Sequence, residues 1–351
     1  MKTLLSLFLV VAFTLTVSAQ AVIVVQNATE TRTFQTLSAA VEAAVDGDNI
    51  YVPGGSFVVS PLLINKRLNI IGAGHVPDST TATGQTLVHG NIHFVNGSDF
   101  STIQGIFFTN TIFMGYAGNN GNVSNILISR CNMESLKLSD HFNDQNLGAN
   151  NIQIKDCVIR SSLNCTNSQN HVIDNCIIGG NVVNINGGIT FNNCVFLFNP
   201  GNNYNLYVVN AAIFNNCIFT ETRRSGLLYS NSLSPSSFNN CIFAFATTQD
   251  IGTNYGAYFN NCIGNVPDIL GLYASVPENK FDYTYNFHLA ENSVAIGAGI
   301  EGTDCGIYGG TNPYKEGAVP MNPHIQAISI PTTTDGEGKL KISVKVKAQN
   351  N

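Results

Sequence analysis

Phe191-Asn-Asn-Cys194-Val-Phe196, Phe214-Asn-Asn-Cys217-Ile-Phe219, Phe238-Asn-Asn-Cys241-Ile-Phe243 and Phe259-Asn-Asn-Cys262-Ile263 are four copies of one phrase. Three fainter copies precede them: Ile128-Ser-Arg-Cys131-Asn-Met133, Ile154-Lys-Asp-Cys157-Val-Ile159 and Ile173-Asp-Asn-Cys176-Ile-Ile178. Successive cysteines lie 26, 19, 18, 23, 24 and 21 residues apart. A repeat of this length that drifts by a few residues marks a solenoid with loops of variable size. Phe, Ile, Val and Cys favour strands, and no 3.6-residue period survives across the unit. The apolar residue three before each cysteine ends one strand. The two polar residues turn the chain, because Asn tolerates the left-handed backbone and bonds its own main chain. The cysteine and the residue two further on then point inward, since side chains alternate along a strand.

Stacked about 4.8 Å apart, such units build ladders. The first is apolar: Ile128, Ile154, Ile173, Phe191, Phe214, Phe238 and Phe259. The second is of Asn: Asn175, Asn193, Asn216, Asn240 and Asn261. The third is of Cys: Cys194, Cys217, Cys241, Cys262 and their three predecessors. The expected fold class is all-β, a right-handed parallel β-helix with three sheets. The β-helix is expected over residues 50–310, and at about 22 residues per coil and about 4.8 Å of rise, Ile50 to Ile263 hold roughly ten coils in about 50 Å. This pattern resembles the pectate-lyase-like superfamily, in which Asn ladders occupy the tight turn between two of the three sheets. The resemblance bears on fold far more than on activity, because one fold hosts many chemistries.

The flanks fit that frame. Lys2, the apolar run Leu4–Leu15 and the small residues Val17-Ser-Ala19 read as a secretory signal over 1–19, so the chain is expected to be secreted or displayed at the cell surface. Residues 20–49 form an N-terminal cap. Within Thr33–Val45, Leu37, Ala40, Val41 and Ala44 share one helical face, and a solenoid needs its first coil covered. This cap and first coil also resemble those of the pectate-lyase-like family. At the other end, His288-Leu289, Ser293-Val-Ala-Ile-Gly-Ala-Gly299 and Gly302-Thr-Asp-Cys-Gly-Ile-Tyr-Gly-Gly310 resemble the closing coil of secreted bacterial β-helix proteins. Residues 311–351 are a distinct tail. In Lys339–Lys347, apolar Leu340, Ile342, Val344 and Val346 alternate with Lys and Ser, as in a half-buried strand. The expectation is a strand over the last coil with lysines guarding its edge. The other reading is a sorting or attachment tail recognised by secretion machinery.

Composition narrows the function classes. The chain has 351 residues, 32 glycines, no Trp, 11% charged residues and a net charge of −6. Neither nucleic acid nor an anionic membrane suits that balance. Past the signal, no stretch is apolar enough to span a bilayer. Nine cysteines in a secreted chain suggest disulfides. Ladder geometry argues otherwise, because parallel strands hold the Cβ atoms about 4.8 Å apart, beyond bridging range. Free, buried thiols are expected, with Cys165 and Cys305 off the ladder.

Catalytic motifs of the related enzymes are missing. Polygalacturonase-like hydrolases carry Asn-Thr-Asp, Asp-Asp, Gly-His-Gly and Arg-Ile-Lys; one lyase branch carries Trp-Ile-Asp-His; alginate epimerase-like enzymes carry Asp-Pro-His-Glu. None occurs here. No cofactor or metal is called for, although the acidic loop Asp140-His141-Phe-Asn-Asp144 would suit calcium or acid–base work. Glu221-Thr-Arg223-Arg224 sits in the corresponding segment after Cys217, and Tyr207 and Tyr229 collect in the same variable segments. Variable loops on a rigid scaffold are where recognition resides. In the related enzymes this side flanks the substrate groove. Asp140, His141, Asp144, Tyr207, Glu221, Arg223, Arg224 and Tyr229 are therefore the candidate ligand-binding set, with an arginine meeting any carboxylate. Two functions stand: a non-catalytic binder of glycan or a surface partner, and a diverged polysaccharide lyase or glycoside hydrolase acting on an acidic polysaccharide.

Overall fold

The structure, a computed structural model, describes residues 22–116, 123–139, 148–198, 206–222, 228–229, 236–244 and 257–348. It is dominated by long parallel sheets, with one short α-helix among the described residues. A twelve-stranded sheet takes one three-residue strand from each repeat, in chain order from Asn49–Tyr51 to Tyr258–Asn260. Each pairs in parallel and in register with the next, so that Ile154, Ile173, Phe191, Phe214, Phe238 and Phe259 are direct neighbours. The strands that follow the cysteines form the spine of a fourteen-stranded sheet. That sheet branches, because Phe107–Met114, Asn132–Lys137 and Val158–Asn164 run on through a corner. Their first halves pair along the spine and their second halves along the branch. Two of these three carry a register shift in the pairing, which bends the strand without ending it.

Two columns of rings fill the core. Phe191, Phe214, Phe238 and Phe259 stack with centroids 4.9, 4.6 and 4.8 Å apart, nearly coplanar. Phe196, Phe219 and Phe243 form the facing column at 4.5 and 5.0 Å. Rings of the two columns meet edge to face, so each phenylalanine presents its positive edge to a neighbour's negative face. The ladder cysteines share this core with the rings as free thiols. Their S–H groups donate to carbonyls one coil back, as Cys217 Sγ does to Phe191 O at 3.6 Å and Cys241 Sγ to Phe214 O at 3.4 Å. Burial and the neighbouring thiols hold Cys131, Cys176 and Cys217 well above the usual thiol range.

The residue before each of the seven ladder cysteines has a positive φ: Arg130, Asp156, Asn175, Asn193, Asn216, Asn240 and Asn261 all lie between 51° and 55°. Gly105 holds the same place one coil earlier, at 70°. Asn reaches this left-handed conformation at low cost, which accounts for its repetition. The residue before it forms a second column, continuously hydrogen-bonded. Asn192 Nδ2 donates to Asp174 at 2.7 Å, Asn215 to Asn192 and Asn239 to Asn215 at 2.8 Å, and Asn260 to Asn239 at 2.7 Å.

At the N-terminus, the antiparallel pair Ile23–Gln26 and Thr31–Phe34 extends the twelve-stranded sheet, and the helix Leu37–Ala43 buries Leu37, Ala40 and Val41. Thr36 caps its start. Lys66 Nζ takes the carbonyls of Val41, Glu42 and Ala44 at its end.

Two sequence expectations are corrected at the other end. The segment that resembles a closing coil does not close the end of the stack. It runs back along its side as a strap over the left-handed column. Asn240 Nδ2 donates to Ala298 O, and Ile300 N donates to Asn216 Oδ1. Asn193 Nδ2 serves Asp304 O and Gly306 O; Asn175 Nδ2 serves Ile307 O and Gly309 O; Arg130 Nη1 reaches Val319 O. The Asn side chains stand outward at the turn, so the strap's backbone is the partner they find. Gly309 lies so close that a Cβ there would sit 2.5 Å from Asn193 Nδ2. Underneath, Val158, Ile177, Val195, Ile218 and Ile242 on the outer sheet face pack against Ile269, Leu272, Phe287, Ala295, Cys305 and Ile307. The tail strand is likewise displaced. Ser343–Lys347 pairs antiparallel with His324–Ser329, not with the last coil, and its residues are exposed on both faces.

The stacked core gives the first testable outcome. Phe214→Ala removes a ring with four aromatic neighbours and leaves a cavity that rigid strands cannot close. A loss of about 3–5 kcal/mol in the free energy of unfolding is expected by denaturant titration. A loss below about 1 kcal/mol would contradict the packing described.

Candidate functional site, an aromatic cleft under the strap

Where the strap leaves the solenoid, a cleft of about 420 Å³ opens. Its floor is Val76, Asp78, Ser79 and Ile177 of the solenoid. One wall comes from the run Phe281–His288, in which Phe281, Tyr283, Tyr285 and Phe287 alternate with other residues; all of the run but Thr284 lines the cleft. The antiparallel strand Asn286–Leu289 anchors this wall against Tyr273–Ser275. The opposite wall is Tyr308, Tyr314 and Glu316. Phe287 is buried, whereas Tyr283, Tyr285, Tyr308 and Tyr314 are half-buried.

The cleft is polar at its ring edges. His288 stacks on Tyr308 with centroids 3.8 Å apart and planes 12° apart. Its Nδ1 donates to Asn286 Oδ1 at 2.8 Å, and its Nε2 lies 3.2 Å from Glu316 Oε1. Tyr283 accepts from Asn132 Nδ2 at 2.9 Å and donates to Nδ1 of buried His75 at 3.0 Å. Nε2 of His75 has no partner among the described residues. Burial pushes Tyr283 and Tyr308 up to about 12, with the Glu316 carboxylate adding to the shift at Tyr308, so both are neutral phenols. Asp282 is held below the usual carboxylate range by the backbone and hydroxyl of Thr284. The site thus offers aromatic faces, phenol hydroxyls and the carboxylates of Asp78, Asp282 and Glu316. The imidazole of His288 already meets one of them.

A second groove, of about 280 Å³, lies where the amide columns meet the strap. Asp174, Asn192, Asn193, Asn215 and Asn216 form one side, and Glu301, Thr303, Thr311 and Asn312 the other. Its amides are largely satisfied by one another and by the strap.

Of the residues singled out from sequence, the structure describes Tyr207, Glu221 and Tyr229, none of them among those lining the cleft. Asp140, His141, Asp144, Arg223 and Arg224 lie outside the described residues. Tyr207 and Tyr229 are paired in register on neighbouring strands, Leu206–Asn210 and Leu228–Tyr229, so their backbones come together. Glu221 is fully buried beside the last spine strands, not on an exposed loop. The cleft was missed, although its alternating aromatics at 281–287 were visible. Its other wall and floor lie far off in the chain, and no local pattern announces them. Among the described residues, no group of three or more His, Cys, Asp or Glu could hold a metal ion, and no helix is long and apolar enough to cross a membrane. No protein-family model matches the chain, and no curated protein matches it.

The buried histidines make folding sensitive to acid. Burial pulls His75 from 6.5 down to about 3, and His171, which accepts the Ile152 amide, down to about 4. The unfolded chain takes up both protons near pH 6.5, so it binds more protons than the native state below that pH. The stabilisation is complete above pH 6.5 and is lost as pH falls towards 3–4. Several kcal/mol are at stake, on the order of 1.4 kcal/mol per unit of pKa difference. Urea titrations from pH 7 to pH 4 are expected to show a steeper loss for the native chain than for His75→Gln. Parallel profiles would contradict the assignment.

Proposed function

We propose that the chain is a secreted or cell-surface right-handed parallel β-helix of the pectate-lyase-like kind, and that it binds glycan non-catalytically in the aromatic cleft. On this reading the spine and branch of the larger sheet are two of three faces, and roughly ten coils stack at about 4.8 Å. Secretion rests on the leader-like residues 1–19. The observation that carries the binding reading is the cleft itself: half-buried tyrosine faces with hydroxyls and carboxylates at their edges. Sugars present apolar C–H faces for stacking and hydroxyl rims for such acceptors. The lining carboxylates, with His288 already paired to Glu316, favour neutral or amine-bearing sugars over uronates. The arginine–uronate contact expected from Arg223 and Arg224 lies outside the described residues and is not part of this reading.

A second reading rests on one pair. His288 and Glu316 beside Tyr308 are an acid–base arrangement, as a diverged lyase or hydrolase would need. A glycan array carrying neutral, uronic and amino sugars, with assays for unsaturated and reducing-end products, separates the two. Binding without product is expected, weakened about tenfold or more in Tyr285→Ala and Tyr308→Ala. Retained affinity in both variants would remove the cleft from the account, and product formation abolished by His288→Ala would establish the second reading.

A further inference from the structure

The antiparallel hairpin His324–Ser329 with Ser343–Lys347 has two unlike faces. Its register sets Ile325 opposite Val346 and Ile328 opposite Val344, whereas His324 faces Lys347 and Ala327 faces Lys345. Alternation therefore gathers the aliphatic side chains on one face and the lysines on the other. Beyond Ile325, which is half-buried beside Val22, Val24 and Tyr51, nothing among the described residues covers the aliphatic face: Ile328 is 43%, Ile342 53%, Val344 49% and Val346 56% exposed. An isolated two-stranded sheet is marginal in water, and contiguous apolar surface of this kind marks a contact.

We propose that this face is covered by the same face of a second copy, making the protein a homodimer through its C-terminal hairpins. Three observations select that occupant. First, the face is self-complementary. Two such hairpins packed about 10 Å apart form a four-stranded sandwich about a twofold axis, with aliphatic pair set on aliphatic pair. Second, the lysines lie on the outer faces of that sandwich, so like charges do not meet. The same separation argues against an anionic membrane, because a bilayer on the aliphatic face would lie on the side away from Lys345 and Lys347. Third, the area suffices. The half-exposed aliphatic side chains, continued by Ile330, give on the order of 500 Å² per copy, near the lower bound of about 1,000 Å² in total for a specific interface. The hairpin meets the edge of the aromatic cleft, at Asp78, Ser79 and Glu316, with His324 and Lys347, which lie on the face opposite the proposed contact.

Sedimentation velocity of the full mature chain at micromolar concentration is expected to give twice the chain mass. Val344→Asp should raise the dimer dissociation constant by at least about a hundredfold, because it places a carboxylate against an aliphatic partner. The solenoid's melting transition should be unchanged, and Lys345→Glu should leave the dimer intact. A Val344→Cys variant adds a reactive thiol to a chain whose own cysteines are buried or half-buried, and should cross-link as a dimer under mild oxidation. A monomeric native chain, a Val344→Asp variant that remains dimeric, or hairpin-dependent capture of the monomer by anionic vesicles would overturn the proposal.

Discussion

The structure depends on one backbone constraint. From Thr102–Gln104 onward, between each strand of the twelve-stranded sheet and the next spine strand, the chain turns through a single residue of positive φ. An L-residue with a Cβ resists that conformation, and Asn resists it least among residues with a hydrogen-bonding side chain. Once Asn occupies the turn, its amide points outward at a fixed height in every coil. The result is a column of donors and acceptors at the coil spacing, which a passing backbone can satisfy. The strap does so from Ala298 to Val319, with one or two bonds each to Asn240, Asn216, Asn193, Asn175 and Arg130. Turn chemistry chosen for local conformation thereby sets the path of a segment distant in sequence.

The same turn fixes the core. Holding the cysteine strand in one relation to the phenylalanine strand places like residues above like, coil after coil. Phenylalanine rings 4.6–4.9 Å apart are the direct consequence. Where the turn residue is Arg130 or Asp156, the column continues as a buried ion pair at 3.7 Å, and Arg130 still holds the strap. Strap and stack are therefore one unit. The aliphatic outer face of the spine stays dry only because the strap lies over it, and the aromatic cleft exists only where strap and solenoid part.

How much of this was legible follows from what each contact needs. The phenylalanine and cysteine columns could be read from sequence, because a stack of identical coils demands identical residues at one spacing. The cap helix could be read because its buried face has helical spacing. The strap's path could not, because its bonds to the Asn column are made by carbonyl and amide groups that every residue carries. Gly299, Gly306, Gly309 and Gly310 were the local trace of its close approach. The cleft was half legible: the alternation from Phe281 to Phe287 was on the page, but Tyr308, Tyr314 and the Val76–Ser79 floor meet it only through the strap's route. The hairpin shows the limit of periodicity. Alternation in Lys339–Lys347 identified an aliphatic face but not what lies against it, and the neighbouring partner proved to be His324–Ser329.

Amide hydrogen exchange read by mass spectrometry tests the central claim most directly. If the outward Asn column holds the strap, peptides covering 298–309 exchange slowly in the native chain. In an Asn193→Ala/Asn216→Ala double variant they exchange fast, while the strands around Phe214 and Phe238 stay protected. Rapid exchange of the strap in the native chain, or equal protection in the double variant, would contradict the account.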